Sequence, residues 1–193
     1  MKKITKEITR ERTWNGKVTK IVHEFSTWNC IYTKNNPENL QKCFDYLAKA
    51  MNSDFVEREN SPSGMPILEL EVRKYDTPGL EVTLAKEAEY HGKNRHQHLT
   101  VQNYFMAKHP DCLAVEVPVD NGKDRSGLMD FLFYIPKEDG FIIWDFKPKA
   151  AKERKAATQI YYYREDFAKI TGVPLNKIRA GWFDDLHQFE LVL

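Results

Sequence analysis

The chain reads as a mixed α/β (α+β) protein. Residues 91–193 predict a mixed sheet flanked by helices in the order αβββαβ, and residues 1–90 a β-rich lobe of ββαββ type packed on that core. Three observations lead there. Two apolar runs, Gly127 to Ile135 and Gly140 to Trp144, meet around the turn-forming Pro136-Lys-Glu-Asp-Gly140, as strands of a hairpin do. Downstream, Ala156, Ile160, Tyr163, Phe167 and Ile170 recur at steps of three and four, the period of a helix with one buried face. Upstream, Ile67 to Val72 alternates apolar and charged residues, as a half-exposed strand does.

Taken in order, Asn15-Gly16 is a strong two-residue hairpin signal between β-rich flanks. Pro37 to Met51 predicts a helix, with Asn36 as N-cap, Pro37 in the first turn, and Leu40, Cys43, Phe44, Leu47 and Met51 as its apolar stripe. Ser61 to Pro66 is a loop. Ile67 to Val72 is a strand, Thr77-Pro-Gly79 turns the chain, and Leu80 to Leu84 returns as its partner. In the second region, residues 96–108 form a helix that stops before His109-Pro110. Strands follow at Cys112 to Val119, 127–135 and 140–146. A helix from Ala150 to Thr171 is ended by Gly172 and Pro174, with strands after it at Ile178 to Phe183 and Gln188 to Leu193. No repeat, low-complexity tract or flexible linker interrupts the chain, so a boundary near residue 90 joins two packed parts.

The 193 residues are 41% hydrophobic and 30% charged, which suits a soluble globular domain. No apolar stretch approaches the ~20 residues of a membrane span. Met1-Lys-Lys-Ile-Thr-Lys-Glu is basic but has no apolar core after it, so it is not a secretory signal, and a cytoplasmic, intracellular setting is expected. Cys30, Cys43 and Cys112 make neither a disulfide framework nor a zinc pattern and read as apolar side chains. A net charge of +1 carries no signal for nucleic acid. Local charge does. Lys147, Lys149, Lys152, Arg154 and Lys155 are offset by Glu153 alone, and His91, Lys93, Arg95, His96 and His98 form a second cluster without an acid. Such patches concentrate anions, although on charge alone a solvated helix face is the plainer reading.

The chemistry concentrates on Asp130, Asp145 and Lys147. Asp130 sits inside the first apolar run, where a lone charge needs a cation or an arginine. Asp145 and Lys147 are two apart on a strand and share a face. Two carboxylates supply the oxygen ligands that Mg²⁺ or Mn²⁺ prefers, and one bridging carboxylate would support a pair of ions. The lysine would assist an attacking water or steady charge, as hydrolysis of a phosphodiester requires. The plain alternatives are a strand-end Asp and a surface ion pair. Glu116 is a third carboxylate or the polar position of an alternating strand. Gln159 and Tyr163 share a helix face at i and i+4, suited to a phosphate or the lysine, while Tyr163 also fits the apolar stripe. Tyr161 and Tyr162 lie off that stripe, free to stack on bases. His98 or His96 is a further ligand or supporting group, and His91, His23, His109 and His187 have weaker claims.

This order of elements resembles the PD-(D/E)XK nuclease superfamily, and most the RecB-type branch. The resemblance covers residues 94–184. It rests on His98 or His96, Glu116, Gly127-Leu-Met-Asp130, Ile142-Ile-Trp-Asp-Phe-Lys147 and Gln159-Ile-Tyr-Tyr-Tyr163. The resemblance implies a restriction-endonuclease-like core. It implies Asp130 and Asp145 as ligands of Mg²⁺ or Mn²⁺, with His98 as an additional one, Lys147 as catalytic lysine, and Gln159 and Tyr163 as DNA-contacting or site-supporting groups. Lys149, Lys152 and Lys155 join the nucleic-acid contacts. No cysteine follows Cys112, which excludes the branch with a four-cysteine iron–sulfur cluster. The expected function is metal-dependent hydrolysis of single- or double-stranded DNA. The alternatives are RNA at the same site, or a non-catalytic nucleic-acid-binding or assembly subunit. Residues 1–90 match no part of the family pattern and are candidates for substrate choice. An oligomer is compatible with all of these.

Overall fold

In the computed structural model, the backbone is described for residues 2–14, 17–28, 36–91 and 98–193. The Asn15-Gly16 turn, Cys30, Lys93, Arg95 and His96, and the side chain of His91, lie outside the described residues. Among the described residues, eight strands form one mixed sheet: β1 (Lys3–Trp14), β2 (Lys17–Trp28), β3 (Val72–Lys74), β4 (Cys112–Asp120), β5 (Ser126–Ile135), β6 (Gly140–Phe146), β7 (Ile178–Phe183) and β8 (Gln188–Leu191). Four helices flank it: α1 (Glu38–Asn52), α2 (Leu80–His91), α3 (His98–Lys108) and α4 (Ala156–Thr171). The spatial order is β1-β2-β4-β5-β6-β7-β8-β3. Residues 1–90 therefore contribute strands to both edges. Every pairing is antiparallel except β6 with β7. That parallel pair needs a crossover, which α4 supplies.

The sheet is buried on both faces, which is why its central strands read as near-continuous apolar runs. Alternation along β6 divides the core. Phe141 and Ile143 pack with Ile160 and Phe167 of α4 and Leu47 of α1. Ile142, Trp144 and Phe146 pack with Phe105 of α3 and Ala85 and Ala88 of α2. Cys43 and Cys112 are buried within these two clusters, as apolar side chains are. No helix among the described residues is long and apolar enough to cross a membrane.

Four local expectations change. Ile67 to Val72 is not a strand: only Val72–Lys74 finds a partner, β8, and the Leu68 N–H donates instead to Thr158 Oγ1 on α4 at 2.8 Å. Leu80 to Leu84 is not a returning strand but the start of α2, whose next turn brings Ala85 and Ala88 into the core. The lobe is thus ββαβα. Asn36 does not cap α1. Pro37 holds the N-cap position without a side-chain bond, and Asp139 accepts from the Asn39 and Leu40 N–H groups at 3.1 and 3.3 Å. A carboxylate there also suits the helix dipole. Finally, α4 starts at Ala156, after a 3-10 turn at Ala150–Lys152.

Candidate active site

Strand register builds the site. The β5–β6 ladder ends at Phe131 opposite Trp144, so the next rung holds Asp130 and Asp145. On the other side of β5, Val115 faces Phe131 and Val117 faces Met129, which sets Glu116 opposite Asp130. Three carboxylates from three adjacent strands thus share one rung. All three are buried: Glu116 and Asp130 are 7% exposed, Asp145 2%.

Each carboxylate has its own partners. Asp130 Oδ2 accepts from the Phe146 N–H at 2.8 Å, tying the end of β6 to β5 where the ladder stops. His98 Nδ1, from the first turn of α3, lies 3.4 Å from the same oxygen. Lys147 Nζ lies 2.6 Å from Asp145 Oδ2, a close ion pair without the alignment of a hydrogen bond. Glu116 Oε1 accepts from Gln102 Nε2 at 2.7 Å, and Oε2 lies 3.1 Å from His23 Nδ1.

The charges are interdependent. Burial pushes Asp145 up to about 7, with Asp130 adding to the effect and Lys147 opposing it. Burial also pushes Asp130 up, yet His98 and Lys147 outweigh it and hold this carboxyl below the usual range. Asp130 raises His98 to about 9 against the effect of burial. Burial would lower Lys147, but Asp145 and Asp130 hold it above its ordinary value. His98 and Lys147 are thus the cationic side chains whose charge acts on Asp130 and Asp145.

A cavity of about 380 Å³ opens beside Glu116 and Asp130, lined among others by His98, Gln102, Gln159 and Tyr163, while Asp145 and Lys147 lie outside its lining. Gln159 Nε2 donates to Tyr163 Oη at 3.3 Å, so α4 presents this pair to the carboxylates as one unit. Gly127, three residues before Asp130, lies under the Tyr163 ring. A Cβ there would come within 2.8 Å of Tyr163 Cε1 and 3.0 Å of Pro62 Cδ. Lys149, Lys152 and Lys155 are exposed around the turn ahead of α4, beside Lys147 in sequence but outside the cavity lining. Tyr162 packs under the Arg125 guanidinium at 4.2 Å, and Tyr161 lies edge-on to Tyr162. The turn itself is pinned from β7: Asp184 Oδ2 accepts from the Ala150 N–H at 2.8 Å, and Trp182 Nε1 donates to the Ala150 carbonyl at 3.1 Å.

Among the described residues, no three His, Cys, Asp or Glu side chains converge into a ready-made metal cage. The donor set nonetheless fits a hard cation that retains waters and takes few protein ligands. Asp130 and Asp145 are adjacent buried oxygen donors, and Asp145 Oδ2 has no aligned hydrogen bond. No family model, curated protein or solved structure matches the chain.

One residue of this site, Gln102, escaped the sequence reading, and another, His23, had only a weak claim there. Gln102 is one helical turn after His98, a spacing that marks a shared face. His23 carries no local signal, because its contact with Glu116 spans 93 residues.

Proposed function

We propose that the chain is a metal-dependent nuclease that hydrolyses phosphodiester bonds of DNA. The observation that carries this reading is the single rung of Glu116, Asp130 and Asp145 with Lys147 Nζ against Asp145. A buried rung of carboxylates is costly without compensating cations. Mg²⁺ or Mn²⁺ held by Asp130 and Asp145 would supply that charge and polarise a phosphate and its nucleophile.

The chain's own residues set the rest. Lys147 is held charged by two carboxylates, so it works as a fixed cation and donor toward a phosphoryl oxygen rather than as a proton acceptor. Its side chain is 20% exposed. Gln159 and Tyr163 place amide and phenol donors on the facing wall of the cavity. The exposed Lys149, Lys152 and Lys155 give the approach to Lys147 a positive field, which suits a polyanion and would make binding salt-dependent.

Metal binding and turnover separate in two variants. Mn²⁺ should raise the thermal midpoint of the wild type, because a ligand of the folded state alone stabilises it, by about 2.7 kcal/mol at ~100-fold above Kd. Asp130→Ala should lose that shift. Lys147→Ala should keep it and lose turnover of a labelled oligonucleotide. An equal shift in Asp130→Ala, or turnover that survives Lys147→Ala, would overturn the assignment.

A further inference from the structure

Glu116 is the one carboxylate of the rung whose backbone is irregular. Its φ is +51°, the left-handed region, in the interior of β4. A side chain with a Cβ pays about 1–2 kcal/mol to sit there, and such outliers persist where the surroundings hold them. The effect on the strand is visible. Val115 packs in the α2–α3 side of the core and Val117 in the α1–α4 side, although residues two apart on a regular strand share a face. The carboxylate is then gripped at both oxygens. Gln102 is 1% exposed and donates to Oε1, while His23 approaches Oε2. A carboxylate only accepts, so His23 Nδ1 carries the proton. Glu116, His23 and Gln102 line one cavity together with Asp130.

The two grips come from different parts of the chain. Gln102 and His98 are one turn apart on α3 and meet the opposed pair Glu116 and Asp130 respectively. His23 comes from the β1–β2 hairpin, which is firmly seated. Trp28 Nε1 donates to the Cys112 carbonyl at 2.9 Å, Thr27 Oγ1 donates to the Leu113 carbonyl at 3.1 Å, and Arg10 pairs with Glu57 at 2.6 Å. Ile8 and Phe25 are in the core. These contacts tie the hairpin that carries His23 to the core strands, as a positioned site requires.

We propose that His23 and Gln102 are positioning residues that act through Glu116, and that the N-terminal hairpin is a working part of the active site. The proposal rests on the nuclease reading. It takes Glu116 as an acceptor aimed at the reacting groups and assigns the aim to these two donors. Residues that orient an active-site group in this way cost about 10–100-fold in activity when removed.

The test is steady-state cleavage of an end-labelled oligonucleotide in Mn²⁺, with thermal midpoints measured alongside. His23→Ala and Gln102→Leu should each lower kcat about tenfold or more, leave KM within about twofold, and keep the Mn²⁺-induced thermal shift. His23→Asn, whose amide donor replaces Nδ1, should recover part of the loss. Adding His23→Ala to Glu116→Gln should cost nothing further, since both act through one carboxylate. Wild-type cleavage with unchanged kcat in His23→Ala and Gln102→Leu overturns the proposal alone. Fully multiplicative losses in the double variant also overturn it, because the residues would then act independently. A wild type that cleaves nothing overturns it together with the nuclease reading.

Discussion

At the scale of single residues, the account rests on side chains that only this register could bring together. Asp130 and Asp145 were legible in the sequence because each interrupts an apolar strand, where a charge needs a reason. Gly127 was legible only as a letter in a pattern. Its physical role is to leave room for the Tyr163 ring, which closes over it. Gly127→Ala is therefore predicted to destabilise the fold by about 1–3 kcal/mol through overpacking and to displace Tyr163 from the cavity wall. Urea unfolding midpoints check the first effect, and the environment of the tyrosine in a crystal structure of the variant checks the second. The partnership of His23 with Glu116 lay beyond sequence reading, since a contact across 93 residues leaves no periodicity or motif.

At the scale of elements, strong period and length carried through, and weak alternation did not. The buried strands β4 to β7 and the helices α1, α3 and α4 lie where apolar runs and periodic stripes put them. Ile67 to Val72 has the alternation of a strand but lacks a partner for its first residues, and a strand without a ladder does not form. Leu80 to Leu84 has β-branched content, yet Ala85-Lys-Glu-Ala88 continues it as a helix, and core packing of the two alanines decides the matter. The start of α2 is held by Glu81, which lies 3.8 Å from His109 Nε2 and accepts from Gln188 Nε2 at 3.2 Å. Burial would raise the Glu81 carboxyl, but His109, the backbone N–H and Gln188 hold it below the usual range. The stabilisation from such a depressed carboxyl is complete above the unfolded value, about 4.3, and is lost as pH falls through the folded value. Glu81→Gln should cost about 1–2 kcal/mol at pH 7, and its gap to the wild type should be smaller at a second pH below the unfolded value. Unfolding midpoints at the two pH values measure it, and a gap that stays constant would remove the charge from the explanation.

At the scale of the whole molecule, residues from both halves of the chain complete one sheet and one cavity. β1 and β2 extend one edge, β3 the other, and the carboxylate rung lies between. The mixed α+β class, the chain order of the central elements and the β5–β6 hairpin followed from sequence pattern. The sharing of one sheet by residues 1–90 did not, because edge pairing leaves only faint traces in a hairpin that alternates polar and apolar residues. The central claim is that the rung hydrolyses phosphodiesters with a divalent cation. The most direct measurement is cleavage of end-labelled single- and double-stranded DNA, with an RNA control, in Mn²⁺, Mg²⁺ or EDTA, by wild type and Asp145→Ala. The account predicts cleavage of DNA by the wild type that EDTA abolishes, and a loss of ~100-fold or more in Asp145→Ala, the size of effect expected when charge stabilisation at the reacting group is removed. No cleavage of any substrate, or equal cleavage by both proteins, would contradict it.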